Sequence, residues 1–230
     1  YLQPSANGRY NQLGRQFKFP DDYSRGDWIF RFQRYDVFST GYYYDRTGVT
    51  SQFSITQVLT RNSIDNPLFP SHGSNVSLST ELSGPPFLPG TAEYTKHVFS
   101  LDWYTPLFNT SRVALYLGTQ YGEIIRFRQN TYIPPIEYFY MGGTGLGMAS
   151  TTPLRGYEDR AIGPLNGNNQ ALPGTVMEKH VAELRFNISL NPIPIYLLAF
   201  AEGGNVWDGV KNTELFDLKR SAGFGARLLI

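Results

Sequence analysis

The sequence has no cysteine, which excludes a disulfide scaffold, thiol catalysis and thiolate metal sites. Charged residues make up only 17% of it, whereas an average soluble domain has about 25%. The net charge of +1 gives no electrostatic reason to expect nucleic acid as a partner. No apolar run approaches the roughly 20 residues of a membrane-spanning helix. A helical membrane protein is therefore excluded, but a membrane β-barrel is not, because its strands alternate and keep the average hydropathy low.

Turn residues and aromatic residues are plentiful. The 23 glycines and 15 prolines are spread along the chain, and 15% of the residues are Phe, Trp or Tyr. This composition favours many strands joined by turns. Alternation of apolar and polar residues indicates about nine strands, and no segment gives a convincing helix.

The alternation is clear in 180–190, where Leu184 and Phe186 fall on one face and Glu183 and Arg185 on the other. A soluble β-sandwich is one interpretation of such strands. Its outward face would normally carry many Lys and Glu, however, and lysine is scarce in this sequence. A lipid-facing exterior around a hydrated interior explains both faces.

The connections also alternate in kind, as they do in outer-membrane barrels. Proline-bearing turns, mostly short, are predicted near 65–73, 106–111 and 191–194. Longer and more polar loops are predicted near 39–51, 84–94, 124–178 and 204–217. Nine is an odd number of strands and the chain ends in mid-strand, so we expect a segment of a larger barrel.

Four motifs, in order, resemble one known family. They are IDNPLFPSHG at 64–73, FYMGG at 139–143, the Arg-Gly-aromatic motif with its trailing Ile-Gly-Pro at 154–164, and AFAEGGNVW at 199–207 followed by SAGFG at 221–225. Together they resemble the BamA family of outer-membrane β-barrel assembly proteins, within the bacterial surface-antigen superfamily. The resemblance covers residues 52–230 well and is weak before them.

The resemblance implies an all-β fold, an antiparallel transmembrane β-barrel of sixteen strands. This chain would supply about nine of them, from about the sixth to the fourteenth, with a long extracellular loop folded inward. Residues 1–230 would then be part of a single transmembrane barrel domain. The upstream periplasmic domains and both gate strands would lie outside this chain.

The resemblance also implies a structural site. The family's loop arginine corresponds to Arg155, and its acidic partners on the inner wall correspond to Glu183 and Glu202. Gly156 is expected to allow the turn at the loop tip and Tyr157 to pack against the wall. The remaining loop-motif residues are Gly142, Gly143, Ile162, Gly163 and Pro164.

The implied function is an outer-membrane protein assembly and insertion factor, not an enzyme, with no cofactor or metal. Its implied partners are the outer-membrane lipid bilayer of a Gram-negative bacterium, client β-barrel proteins and accessory outer-membrane lipoproteins, with no nucleic acid. A polypeptide-secretion or translocation pore of the same superfamily is the alternative. A lumenal barrel enzyme acting on lipid is a further one.

The residues themselves offer little to an enzyme or a ligand site. His72, His97 and His180 lack the spacing of a metal site, and there is no G-x-S-x-G nucleophile motif. The glycines from Gly142 onward lack the helix that a phosphate-binding loop requires. Asp102 and Glu81 could pair as acids, but acids are common inside barrels.

Overall fold

The computed structural model describes residues 17–18, 21–37, 48–108, 110–128, 131–144, 151–191 and 193–228. The strands are β1 (Phe17–Lys18), β2 (Ser24–Val37), β3 (Gly48–Asn62), β4 (Gly73–Ser83), β5 (Tyr94–Leu107), β6 (Thr110–Arg126), β7 (Tyr140–Met141), β8 (Thr151–Thr152), β9 (Val176–Ser189), β10 (Ile195–Trp207) and β11 (Lys219–Leu228). The helices of the described residues are two 3-10 turns, Pro135–Glu137 and Val210–Asn212.

Nine of these strands form one sheet in the order β1-β2-β3-β4-β5-β6-β9-β10-β11. The expected number of strands is therefore confirmed. β7 and β8 form a separate parallel pair, so the long loop predicted near 124–178 contains two short strands of its own. The described residues begin with β1.

The alternation expected from the sequence is present, and the polar side is the buried one. In β3, Gln52 and Ser54 are 0% and 2% exposed, whereas Phe53 between them is 39% exposed. In β9, Glu183 and Arg185 are buried while Leu184 and Phe186 are each nearly half exposed. We call these sides the polar face and the apolar face. This arrangement is the reverse of a water-soluble sheet, where the apolar side faces the core.

The packing divides the chain into two compact units. The first contains the described residues of Tyr1–Leu59, Leu78–His97 and Glu123–Tyr138. The second contains those of Thr60–Ser77, Val98–Gly122 and Phe139–Ile230.

Within the second unit, the turn of the IDNPLFPSHG motif places Phe69 on the polar face. Phe69 is 3% exposed and packs with Ala114, Tyr196 and Leu198. Its ring meets the Tyr196 ring edge-on at 5.3 Å between centroids. Tyr196, Leu198 and Glu202 of β10 all lie on the polar face, where they are buried.

No helix in the described part of the chain is long and apolar enough to cross a membrane.

Candidate functional site

The loop that follows β7 doubles back along the start of the same segment. Ile162 donates its backbone N–H to Met141 O at 3.1 Å, and Gly143 donates to Tyr157 O at 3.1 Å. Gly142 lies in the left-handed region (φ 129°), and a Cβ there would be 2.2 Å from Glu158 O. Only glycine fits so close to the returning chain.

The trailing Ile-Gly-Pro is fixed in the same way. Ile162 is 3% exposed. A Cβ on Gly163 would lie 2.2 Å from Leu172 O, and Pro164 O accepts a hydrogen bond from Leu172 N at 2.7 Å. Together with the contacts of Ile162 and Tyr157 above, these contacts hold residues 151–164 against Met141 and Gly143.

The tip of this segment is the Arg-Gly-Tyr tripeptide. Gly156 has φ 84°, a conformation that other residues adopt with strain. The Tyr157 hydroxyl donates to Arg220 O in β11 at 3.0 Å. The predicted contact of Tyr157 with the wall is therefore present, as a hydrogen bond to the backbone of a strand.

Arg155 contacts Glu202 of β10 through two different groups. Its guanidinium donates Nη2–H to Glu202 Oε2 at 2.8 Å and Nε–H to the same oxygen at 3.1 Å. Its backbone N–H donates to Glu202 Oε1. Glu202 therefore binds both the side chain and the backbone of the loop.

Arg155 also reaches Glu183 of β9, with Nη2 at 2.9 Å from Oε1. Phe200 lies directly opposite Glu183 in the β9–β10 register. The Arg155 guanidinium carbon sits 3.6 Å above the centre of the Phe200 ring. One loop cation is thus held by two carboxylates and an aromatic face, which all belong to two neighbouring strands. We call Arg155, Glu183 and Glu202 the latch.

The electrostatics of the latch favour a permanently charged arginine. The two carboxylate side chains are only 3% and 1% exposed, and that of Arg155 is 27% exposed. Partial burial works to lower the pKa of Arg155, but the hydrogen bonds and charges of Glu202 and Glu183 outweigh it and raise the pKa. Buried carboxylates left without a cation would be strongly unfavourable.

Arg185 is a further member of this site that sequence reasoning did not identify. It donates Nε–H and Nη2–H to Glu183 Oε2 at 2.8 and 2.6 Å. Its guanidinium stacks over Tyr116 at 4.3 Å and lies near the rings of Tyr104 and Tyr196 at 5.4 and 5.9 Å. The i, i+2 spacing to Glu183 was visible in the sequence, but the tyrosines come from other strands. Glu183 therefore has a second cation, which belongs to its own strand and not to the loop.

The family model described as the Omp85 superfamily domain matches residues 8–229. The chain belongs to the Omp85 superfamily. The resemblance drawn from the sequence motifs is confirmed.

Two similar proteins show how far this likeness extends in sequence and in structure. A SAM50-like protein of Schizosaccharomyces pombe is 30% identical to this Omp85 chain over 142 residues, which are 61% of the chain and 27% of the yeast protein. The crystal structure of BamA from Haemophilus ducreyi lacking POTRA domains 1–3 matches with a TM-score of 0.68 at 17% identity, over 90% of this chain and 45% of that one. The fold is therefore that of BamA. The chain spans less than half the length of either relative.

The first unit of the Omp85 chain holds a second cluster of buried charges that the sequence did not predict. Glu137, in the 3-10 turn Pro135–Glu137, is 5% exposed. It pairs with Arg31 of β2 at 3.4 Å and with Lys96 of β5 at 3.3 Å. Lys96 Nζ also donates to Glu137 O at 2.7 Å. We call this set the Glu137 cluster.

The wall residues of the Glu137 cluster are themselves tied together. Arg31 Nη2 donates to Glu81 Oε1 at 2.6 Å, and the Tyr94 hydroxyl donates to the same oxygen at 3.4 Å. Glu81, which the sequence offered as a possible paired acid with Asp102, belongs instead to an ion-pair network with Arg31. The latch joins a loop cation to wall acids, whereas this cluster joins a loop acid to wall cations.

The other candidates from the sequence do not form a shared site. Asp102 accepts a hydrogen bond from the Tyr116 hydroxyl at 2.8 Å. His97 contacts Thr80 at 3.1 Å, and His180 contacts Thr119 at 2.9 Å and Glu178 at 2.7 Å. Among the described residues, no group of three or more His, Cys, Asp or Glu is arranged to hold a metal ion.

Proposed function

We propose that this Omp85 chain is part of the transmembrane barrel of an outer-membrane assembly factor. The whole protein folds and inserts client β-barrel proteins without an enzymatic step, a nucleotide or a metal. The remaining barrel strands, both gate strands and the periplasmic domains lie outside this chain. Family membership and the BamA fold support this assignment.

The observation that carries the proposal is the latch. It connects one long loop to β9 and β10 through buried ion pairs and to β11 through Tyr157. An insertion factor must deform the bilayer and exchange strands with a client while its own wall keeps its register. A loop bound to three consecutive strands supplies that rigidity, because the strands cannot slip without breaking buried charge pairs. The latch is a structural brace and does not contact the client.

The proposed partners follow from the surfaces of the sheet. The exposed apolar face suits the lipid bilayer, and the likeness to BamA supports the outer membrane of a Gram-negative bacterium. Client β-barrel proteins and accessory outer-membrane lipoproteins are the proposed protein partners. Membrane fractionation of the native cells tests the location, and recovery outside the outer-membrane fraction would contradict it.

The function itself is tested with the full-length protein in a strain depleted of the native copy. We expect Arg155→Ala to lower the steady-state amounts of folded client barrels, whereas Arg112→Ala, an exposed arginine in β6, leaves them unchanged. Normal client levels together with accumulation of one exported polypeptide would instead favour the secretion-pore alternative. Normal levels of both would show that the latch has no part in the function.

A further inference from the structure

The turn between β5 and β6 exposes a large apolar side chain. β5 ends at Leu107 and β6 begins at Thr110, so two residues make the connection. Phe108, the first of them, is 86% exposed. A single exposed phenyl ring needs no explanation by itself, but this one also occupies an unfavourable backbone conformation.

The backbone at Phe108 is strained. Its φ of 56° lies in the left-handed region, where a bulky residue is an outlier. Two-residue connections between antiparallel strands favour Asn, Asp or Gly, because these residues adopt a positive φ at low cost. Strain of this kind persists where a residue has a function. The conformational cost and the exposure of Phe108 therefore both indicate a partner outside the turn.

The turns on either side of it in the sheet also expose apolar side chains. Leu68 in the β3–β4 turn is 50% exposed, and Ile193 in the β9–β10 turn is 45% exposed. Because β6 is the neighbour of β9, the β5–β6 and β9–β10 turns lie side by side at one end of the strands. All three turns belong to the second unit. We call Leu68, Phe108 and Ile193 the apolar rim.

The apolar rim lies where the apolar face of the sheet ends. Thr119 Oγ1 of β6 is 2.9 Å from His180 Nδ1 of β9. The two antiparallel strands are therefore level at that point, and the start of β6 is about level with Ser189, where β9 ends. From His180 to Leu190 the chain has the length of a transmembrane strand, roughly 9–11 residues. A bilayer that covers this apolar face thus has one boundary at the level of the rim.

We propose that the apolar rim is anchored in the lipid interface at this boundary, with Phe108 as the main anchor. Lipid is the partner because the rim continues the apolar face, where Ile188 of β9 and Leu228 of β11 are 55% and 54% exposed near the same end. Membrane barrels carry aromatic residues at such boundaries. The inference depends on the membrane location proposed above, and it adds where along the strands the bilayer ends and which residue marks that level.

The first test is urea-dependent folding of the full-length protein into phosphatidylcholine vesicles. Asn adopts a positive φ more readily than Phe, so without an anchor Phe108→Asn would leave stability unchanged or raise it. We expect instead about a tenfold lower equilibrium constant for folding, which corresponds to partial burial of a phenyl ring in lipid. Phe108→Trp keeps both the steric conflict and an interfacial ring, and should stay close to wild type. A Phe108→Asn protein as stable as wild type would overturn the proposal.

The second test measures the depth of the turn in the bilayer. Since the sequence has no cysteine, Phe108→Cys, Phe224→Cys and Lys211→Cys each accept one nitroxide label. Phe224 lies on the apolar face within β11, and Lys211 is exposed in the 3-10 turn at the other end of the strands. The ratio of accessibility to oxygen, which concentrates in lipid, over accessibility to a water-soluble nickel chelate should place position 108 between the other two.

The outcomes keep this inference apart from the proposed location. If position 108 behaves like position 211 while position 224 is exposed to lipid, the location stands and the anchor is refuted. If position 224 also behaves like position 211, the membrane location fails and the anchor fails with it. A label at position 108 that is shielded from both reagents would reveal a protein contact at the turn, and this too would overturn the lipid anchor.

Discussion

At the scale of single residues, the latch depends on geometry as much as on charge. Arg155 supplies a planar fork that meets Glu202 and Glu183 while lying flat on Phe200. A lysine would keep the charge but lose the fork and the stacking. The backbone N–H of Arg155, which also binds Glu202, survives any side-chain substitution. The side-chain contribution can therefore be measured separately from that of the loop backbone.

We predict that Arg155→Ala destabilises the folded protein by roughly 3–5 kcal/mol, the usual result of leaving a buried carboxylate without its cation, because Glu202 loses Arg155 while Glu183 keeps Arg185. The stability of Arg155→Lys should fall between that of Arg155→Ala and that of the wild type. The measurement is denaturant unfolding of the full-length protein in detergent, followed by the heat-dependent shift on gels. The control is the double variant Arg155→Ala, Glu202→Gln, which should recover part of the loss because the buried charge is gone. A double variant no more stable than Arg155→Ala would show that the unpaired charge of Glu202 does not cause the loss of stability.

Arg185 shows what a single sequence could not provide. Its place beside Glu183 on the polar face was evident from the alternation of β9. Its role depends on Tyr104, Tyr116 and Tyr196, which only the register of other strands brings around it. By contrast, the contacts of Arg155 followed from the resemblance, because that motif carries its partners with it. Local pattern fixes the face of a residue, while long-range register decides its neighbours.

At the scale of elements, the turn between β3 and β4 is organised by one carboxylate. Asp65 accepts hydrogen bonds from Ser71 N at 3.0 Å, His72 N at 3.1 Å and Ser71 Oγ at 2.6 Å. Burial works to raise the pKa of Asp65, but the hydrogen bonds from Ser71 and His72 outweigh it and lower the pKa. This turn carries Phe69 into the cluster on the polar face.

The lowered pKa gives a pH prediction with a definite sign. The ionised form is favoured by folding, so its contribution to stability is complete above the unfolded pKa of about 3.9. It declines as the pH falls below that value and vanishes below the folded pKa. We therefore expect wild type to be more stable than Asp65→Asn at neutral pH and the difference to shrink in acid. Thermal unfolding of both proteins across the pH range tests this, and a difference that grows in acid would contradict it.

The Glu137 cluster predicts that the segment before β7 is held in place by charge. Glu137→Gln removes the loop carboxylate that Arg31 and Lys96 contact and should loosen residues 131–138. We expect faster hydrogen exchange and faster proteolysis in that segment. The control is Glu93→Gln, whose partner Arg128 is 66% exposed at 3.7 Å, because such a pair contributes little. Equal effects of the two variants would rule out a special role for the cluster.

Some elements of the fold could be predicted from the sequence and others could not. Strand faces and the turn at 64–73 follow from local alternation and from proline and asparagine chemistry, and the structure agrees with both. The parallel pairing of β7 with β8 and the inward position of Glu137 do not follow. Both occur within the polar stretch 124–178, where no periodic pattern distinguishes a buried loop from an exposed one.

At the scale of the whole molecule, the exposed apolar residues explain why the sequence has so few charges. Leu184, Leu197 and Phe224 are 46%, 46% and 91% exposed on three adjacent strands. A continuous apolar surface of this kind would aggregate in water. Lipid removes that cost, and the buried polar face then needs hydrogen bonds and ion pairs to satisfy its own groups. The latch and the Glu137 cluster therefore both follow from this inversion, in which the polar face is buried and the apolar face is exposed.

This inversion makes the two faces respond oppositely to the same substitution. Leu184→Arg puts a charge in the middle of β9 on the apolar face and should cost about 2–4 kcal/mol near the bilayer midplane. Ser77→Arg puts the same charge on the polar face of β4, where water and acids such as Asp102 can solvate it, and should cost little.

The measurement is urea-dependent folding of the full-length protein into phospholipid vesicles. If the two variants were destabilised equally, the apolar face would not be the lipid-facing one. If Ser77→Arg were the more damaging, the polar face would be too dry to serve as a hydrated interior. A loss confined to Leu184→Arg is the outcome that a lipid-embedded sheet with a wet inner face requires.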